Sequence, residues 1–169
     1  MKRVVAGLGL SLLVVTAGCA ARGAAANPDA LSLTAYAAWG EARSQARGWA
    51  SDAQLQYVEG ASVTNTGTVR PDAGYWRFVF GADSRSRQYA VTVTPTSVNA
   101  EERAPQGPPG FVLGDATLGS DWIDSPAVVE AYGGYPDETR ALMYLVPTTP
   151  PRWIIGDVEI DARTGARLQ

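Results

Sequence analysis

A helical stripe followed by alternating strands occurs twice in the chain, and this order restricts its fold more than any other feature. In the first occurrence, small or apolar residues recur every three or four positions from Leu31 to Trp49. This spacing predicts an amphipathic helix, with Ser32 as its N-cap. Apolar and polar residues then alternate in three segments: 52–58, 75–80 and 89–94. Alternation with period two is typical of half-buried antiparallel strands.

A second, shorter unit repeats the order. Ser125 followed by Pro126 predicts a helix start, and Gly133 predicts its end. Further strands are predicted at 141–146, 153–155, 157–161 and 166–169. Trp76 and Trp153 open corresponding strands, so we interpret the chain as a diverged internal duplication. The predicted fold is α+β, with two tandem units that each pack one helix on an antiparallel sheet.

The segment between the two units is rich in proline, glycine and charge. It runs from Asn99 to Gly110 and contains Glu101, Glu102 and Pro105. This composition predicts a linker. The predicted organisation is then a signal peptide at 1–18, a tether at 19–30, a first α+β unit at 31–98, the linker at 99–110 and a second α+β unit at 111–169.

The N-terminus has the three-part plan of an export signal. Lys2 and Arg3 are followed by fourteen uncharged residues and then by small residues. Fourteen helical residues rise about 21 Å, which is less than the ~30 Å hydrocarbon core of a bilayer. We therefore expect a cleaved signal rather than a transmembrane anchor.

The end of this signal, Ala17-Gly18-Cys19, resembles the lipobox of bacterial lipoproteins. The resemblance implies cleavage between Gly18 and Cys19 and attachment of acyl chains to Cys19, which gives stable membrane anchoring. Ala20 resembles the residue found after the cysteine in lipoproteins sent to the outer membrane. The expected location is therefore the cell envelope, lipid-anchored and facing the periplasm. The alternative is an ordinary signal peptidase that cuts after Ala26.

The second unit is similar to bacterial PepSY domains. The matching pieces are Asp124-Ser125-Pro126-Ala127 at the helix start, Trp153 in the middle strand and Asp161-Ala162-Arg163-Thr164-Gly165 in the closing hairpin. The resemblance covers about 50 residues and only loosely extends to the first unit. It implies a helix on an antiparallel sheet, an exported setting, and a role in binding partner proteins or restraining peptidases. It implies no catalytic residue.

Several classes of chemistry are excluded by composition. The chain has no histidine, one cysteine and no lysine after Lys2. A Ser-His-Asp triad, a cysteine-based zinc site and a Schiff base are therefore excluded in the exported part. With 17 acidic against 14 basic residues and no basic stripe, we expect no nucleic-acid partner. We predict no metal and no cofactor.

Two groups of carboxylates remain as candidates for chemistry. Asp121 and Asp124 could serve acid–base catalysis or bind a hard cation, or they could simply be solvated before a helix. Asp157, Glu159 and Asp161 are predicted to share one strand face, where they could bind Ca²⁺ or face solvent.

The leading prediction is a non-enzymatic lipoprotein that binds a protein partner, with a peptidase as one candidate. The predicted partner surface is the polar side of the sheet: Gln54, Gln56, Arg77, Asp157, Glu159 and Asp161. One alternative is a carrier of a small ligand or glycan, since the five tryptophans and seven tyrosines could line a groove. A second alternative is a carboxylate-dependent hydrolase.

Overall fold

The computed structural model describes residues 32–72, 74–112 and 116–168. These segments form one antiparallel sheet of eight strands and two α-helices, which confirms the α+β class. In chain order the elements are α1 Ala35–Trp49, β1 Gln54–Val63, β2 Tyr75–Gly81, β3 Gln88–Val93, β4 Val98–Arg103, α2 Ser125–Tyr132, β5 Ala141–Val146, β6 Arg152–Ile155, β7 Val158–Asp161 and β8 Arg167–Leu168.

The strand order is symmetric about the centre of the sheet. It runs β4-β3-β2-β1-β5-β6-β7-β8, so β1 and β5 form the central pair and later strands lie progressively outward. Val58 of β1 is paired with Phe78 on one side and with Leu145 on the other. The prediction of a separate sheet for each unit is wrong, because the edge of β1 that β2 leaves free pairs with β5.

Both helices pack on the same face of this sheet. One continuous cluster of buried side chains includes Ala38 of α1, Val128 of α2, Phe78 of β2 and Ile160 of β7. The buried stripe of α1 consists entirely of alanines, at positions 35, 38, 42 and 46. Small side chains let the helix backbone approach the sheet closely. The large residues of the core therefore come from the strands, with Trp76 and Trp153 both fully buried.

The two helices begin slightly differently from the sequence prediction. The N-cap of α1 is Thr34 rather than Ser32, because the extended Thr34 accepts a hydrogen bond from the backbone N–H of Ala37 at 3.2 Å. The N-cap of α2 is Asp124, one residue before the predicted Ser125. The predicted end of α2 is confirmed, since Gly133 adopts a left-handed φ of 93°.

The predicted linker is wrong over its first part. Residues 99–103 belong to β4, which pairs with β3 in register from Val93↔Val98 to Gln88↔Arg103. As an edge strand, β4 exposes every side chain from Val98 to Glu102. It therefore lacks the buried apolar positions by which a strand is recognised in a sequence. Residues 104–110 lie in neither helix nor strand.

The predicted export signal and tether lie outside the described residues, and so do Gly18 and Cys19. Within residues 32–72, 74–112 and 116–168, no helix has the length and apolar character needed to cross a bilayer.

Candidate functional site

The face of the sheet opposite both helices is not covered by either of them, and we call it the open face. Its positions alternate with the core positions along the strands, because side chains of successive strand residues point to opposite faces. The register shifts in β1 interrupt this alternation. The open face includes Tyr57, Glu59, Tyr75, Arg77, Thr92, Leu142, Tyr144, Arg152, Ile154 and Glu159.

An ion pair between Glu59 and Arg77 lies at the centre of the open face. The two residues are directly opposite in the β1–β2 register, with Nη1 of Arg77 3.6 Å from Oε2 of Glu59. The Arg77 side chain is 28% exposed and that of Glu59 is 15% exposed. Nε of Arg77 also donates to Oγ1 of Thr92 at 3.3 Å, and its guanidinium lies 4.7 Å from the Tyr75 ring centroid. Arg77 is therefore held in place by side chains of three strands while part of it still reaches solvent.

Two tyrosines flank the Glu59 carboxylate. Oη of Tyr75 donates a hydrogen bond to Oε1 of Glu59 at 2.6 Å. Burial raises the pKa of Tyr75 to about 12, and the hydrogen bond to Glu59 adds to the rise. Tyr144 is paired with Glu59 in the β1–β5 register, and burial together with the Glu59 charge raises its pKa as well. Both phenols stay protonated at neutral pH, and the Tyr75 hydroxyl acts as a hydrogen-bond donor to Glu59.

One end of the open face is closed by the last residue of β4 and by the residues that follow this strand. The Arg103 guanidinium donates to Oη of Tyr57, and the backbone N–H of Gln106 donates to Oε1 of Gln88 at 2.8 Å. Beside these contacts, Tyr57 forms a small buried cluster with Val79 and Ala90. The accessible part of the open face is therefore displaced from this cluster toward Arg77, Tyr144 and Leu142. The last of these is 48% exposed.

The structure places only some of the predicted surface residues on this accessible part. Arg77 is central, and Glu159 lies farther out, where it pairs with Arg152 across β6 and β7. The Asp161 side chain forms hydrogen bonds within its own turn. Its Oδ1 accepts from the backbone N–H of Arg163 at 2.8 Å and from that of Thr164 at 2.9 Å. These hydrogen bonds lower the pKa of Asp161.

The remaining predicted residues lie elsewhere. Asp157 is in the turn between β6 and β7 rather than in a strand, so the predicted acidic trio does not form one strand face. A β-bulge between Leu55 and Tyr57 breaks the regular alternation of β1, and Oε1 of Gln56 accepts from Nε2 of Gln88 at 2.6 Å. Gln54 lines a cleft beside α1.

Asp121 and Asp124 do not converge on a common site. Asp121 forms an exposed ion pair with Arg163, with a distance of 2.7 Å between Oδ2 and Nε. Oδ1 of Asp124 accepts from the backbone N–H groups of both Ser125 and Tyr36, at 2.8 Å each. One carboxylate therefore caps the N-termini of α1 and α2 together. Sequence reasoning missed this role, although an aspartate directly before a Ser-Pro helix start is a cap signal.

The aromatic residues pack mainly against one another. Trp122 lies edge to face with Trp153, with ring centroids 5.8 Å apart, and Trp49 stacks on Tyr89 at 5.1 Å. A cleft of about 410 Å³ beside α1 has Trp39 and Phe80 as its aromatic lining and no carboxylate among its described lining residues. No set of three or more Asp, Glu, His or Cys side chains in the described segments is arranged to hold a metal ion.

Comparison with known proteins gives no match: no family model, no curated protein and no solved structure is similar to the chain. The relation of residues 121–169 to PepSY domains therefore remains a proposal based on the motifs of this sequence.

Proposed function

We propose that this chain is a non-enzymatic lipoprotein of the bacterial cell envelope that binds a protein partner through the open face. The observation that supports this most strongly is the arrangement around Arg77. A partly solvent-accessible guanidinium is held on an uncovered sheet surface by Glu59, Tyr75 and Thr92.

Residue types on the open face favour a protein over a small molecule. Tyrosine and arginine are enriched at protein–protein interfaces and among the residues that dominate their binding energy. Tyr75, Arg77 and Tyr144 supply these types next to the exposed apolar side chain of Leu142. Because Tyr75 and Arg77 are already held by neighbours, they lose little side-chain freedom when a partner binds.

The proposed location comes from the sequence. Cys19 carries the acyl chains, and the residues after it act as a tether that places the sheet in the periplasm at the outer membrane. The symmetric strand order about β1 and β5 supports a tandem PepSY-like arrangement within the single sheet. Through that relation, a peptidase is the partner class we propose.

Capture of the partner from envelope extract tests the binding proposal. The lipidated full chain is used as bait, together with Arg77→Glu and, as a matched control, Arg70→Glu. Arg70 is exposed and lies in a different cleft, beside Asp137. The proposal expects one protein species to be retained by wild type and Arg70→Glu and lost with Arg77→Glu. Equal retention by all three baits would contradict it.

Metabolic labelling tests the anchor separately. Labelled palmitate should enter the wild-type protein and should not enter Cys19→Ala. Undiminished labelling of Cys19→Ala would rule out the lipoprotein assignment without affecting the open face.

A further inference from the structure

A second surface, on the helix side of the sheet, has the features of a small-molecule site. We call it the α1 cleft: it is the space of about 410 Å³ between α1 and residues 117–120. This volume lies within the roughly 300–1,000 Å³ typical of ligand pockets. The helix wall carries Trp39, Arg43 and Arg47, which are spaced by four residues and therefore share one helix face.

The opposite wall is fixed to the rest of the fold at two points. The backbone N–H of Leu118 donates to the carbonyl of Leu55 at 2.7 Å, and Oη of Tyr36 donates to the carbonyl of Ser120 at 2.6 Å. Phe80 contributes to the apolar lining, and Trp39 stacks on it with ring centroids 5.8 Å apart. The α1 cleft is thus a preformed space with an apolar part and a polar rim.

Within residues 32–72, 74–112 and 116–168, no side chain pairs with the charge of either arginine of this cleft. Most other arginines of the described segments form ion pairs or donate hydrogen bonds, whereas the side chains of Arg43 and Arg47 do neither with any described residue. The nearby Asp121 is already paired with Arg163. Like charges four residues apart on a helix repel each other, so an anion between them would relieve this cost.

We propose that the α1 cleft binds a small ligand that carries a carboxylate or phosphate group on a ring or short apolar body. Arg43 and Arg47 would bind the anionic group, since guanidinium groups form charge-assisted, bidentate hydrogen bonds with both oxyanions. The ring or apolar body would pack on Trp39 and Leu118. This site is independent of the proposed partner surface, which lies on the other face of the sheet.

Calorimetric titration of the full chain in detergent tests the proposal. The probes are phenyl phosphate and benzoate, with benzyl alcohol as the neutral analogue and inorganic phosphate as the anion without a ring. We expect saturable binding of at least one of the two ring-bearing anions, with benzyl alcohol and inorganic phosphate each at least about tenfold weaker. The tighter of the two anions identifies the preferred oxyanion.

Two variants assign the binding to the α1 cleft. Arg43→Gln combined with Arg47→Gln should lower the affinity at least about tenfold, because two charge-assisted hydrogen-bond donors are lost. Arg70→Gln removes an exposed charge that lines a different cleft, and it should leave the affinity unchanged. The proposal is overturned if neither ring-bearing anion binds saturably at about 10 mM. It is also overturned if the double variant lowers the affinity less than about tenfold, or if Arg70→Gln lowers it as much as the double variant does.

Discussion

The indole rings of Trp76 and Trp153 meet edge to face, with centroids 6.2 Å apart and an interplanar angle of 76°. Each indole also donates its N–H to a backbone carbonyl two residues before a helix, Trp76 to Leu33 at 2.9 Å and Trp153 to Ile123 at 3.1 Å. Each tryptophan thus ties its strand to the residues just before a helix.

Space for the Trp76 ring depends on Gly60. A Cβ at Gly60 would overlap the six-membered ring of Trp76, which is fully buried and cannot move away. Gly60→Ala should therefore lower the free energy of unfolding by about 1–3 kcal/mol, measured by urea denaturation. Gly48→Ala is the matched control: a Cβ at this helical position meets nothing within 4 Å, so the substitution should stabilise by about 0.5–1 kcal/mol. Equal stability of the two variants would refute this account of the tryptophan pair.

Asp124 should contribute more to stability than Asp121. Asp124→Ala leaves the N-termini of both helices without their shared acceptor and should cost about 1–2 kcal/mol. Asp124→Asn keeps the side-chain oxygen and should cost less. Asp121→Ala breaks only an exposed ion pair and should change the free energy of unfolding by less than about 1 kcal/mol. If Asp121→Ala proved as damaging as Asp124→Ala, the double-cap role would be wrong.

Stability should fall in alkaline solution as the tyrosines ionise. The pKa of Tyr75 is raised to about 12 in the folded state, whereas an unfolded tyrosine ionises near about 10. Tyr75 therefore contributes its full stabilisation below about pH 10 and loses it as the pH rises toward about 12. Tyr75→Phe should flatten the fall of unfolding free energy across this range, as measured by denaturation at successive pH values. An unchanged slope would show that Tyr75 is not shielded in this way.

The charges of Glu59 and Arg77 can be exchanged to separate folding from binding. Arg77→Glu places two carboxylates opposite each other in β1 and β2 and should destabilise the protein by about 1–3 kcal/mol. Combining it with Glu59→Arg restores an ion pair and should recover most of that loss in thermal unfolding. Partner capture should stay lost in the double variant, because the positive charge then lies at position 59 in β1 and no longer at position 77 in β2. Recovery of capture together with stability would mean that Arg77 acts only through the fold.

Local sequence signals predicted the elements with buried apolar alternation or strong caps. The strand from Tyr75 was foreseen because Trp76, Phe78 and Phe80 share one face, and the end of α2 because Gly133 supplies the left-handed residue. Long-range pairing was not foreseeable in this way. Nothing local to β1 reveals that both of its edges are paired, and this pairing is what merges the two predicted units into one sheet.

The candidate site was only partly predictable for related reasons. Arg77 was placed on the polar side of its strand by simple alternation, but the bulge in β1 changed the environment of Gln56. Glu59, the ionic partner of Arg77, lies just beyond the predicted strand at 52–58, although the observed β1 extends to Val63. The pairing of the two depends on the β1–β2 register, which is set by the fold as a whole.

Site-specific photo-crosslinking in intact cells tests the central claim most directly. A photoreactive phenylalanine analogue is placed at Leu142 or Tyr144 on the open face and, as the control, at Ser44 or Gln45, exposed positions of α1. The account predicts an adduct of one mass from both open-face positions, lost when Arg77→Glu is added, and no such adduct from α1. Adducts from the α1 positions alone, or open-face adducts unaffected by Arg77→Glu, would contradict it.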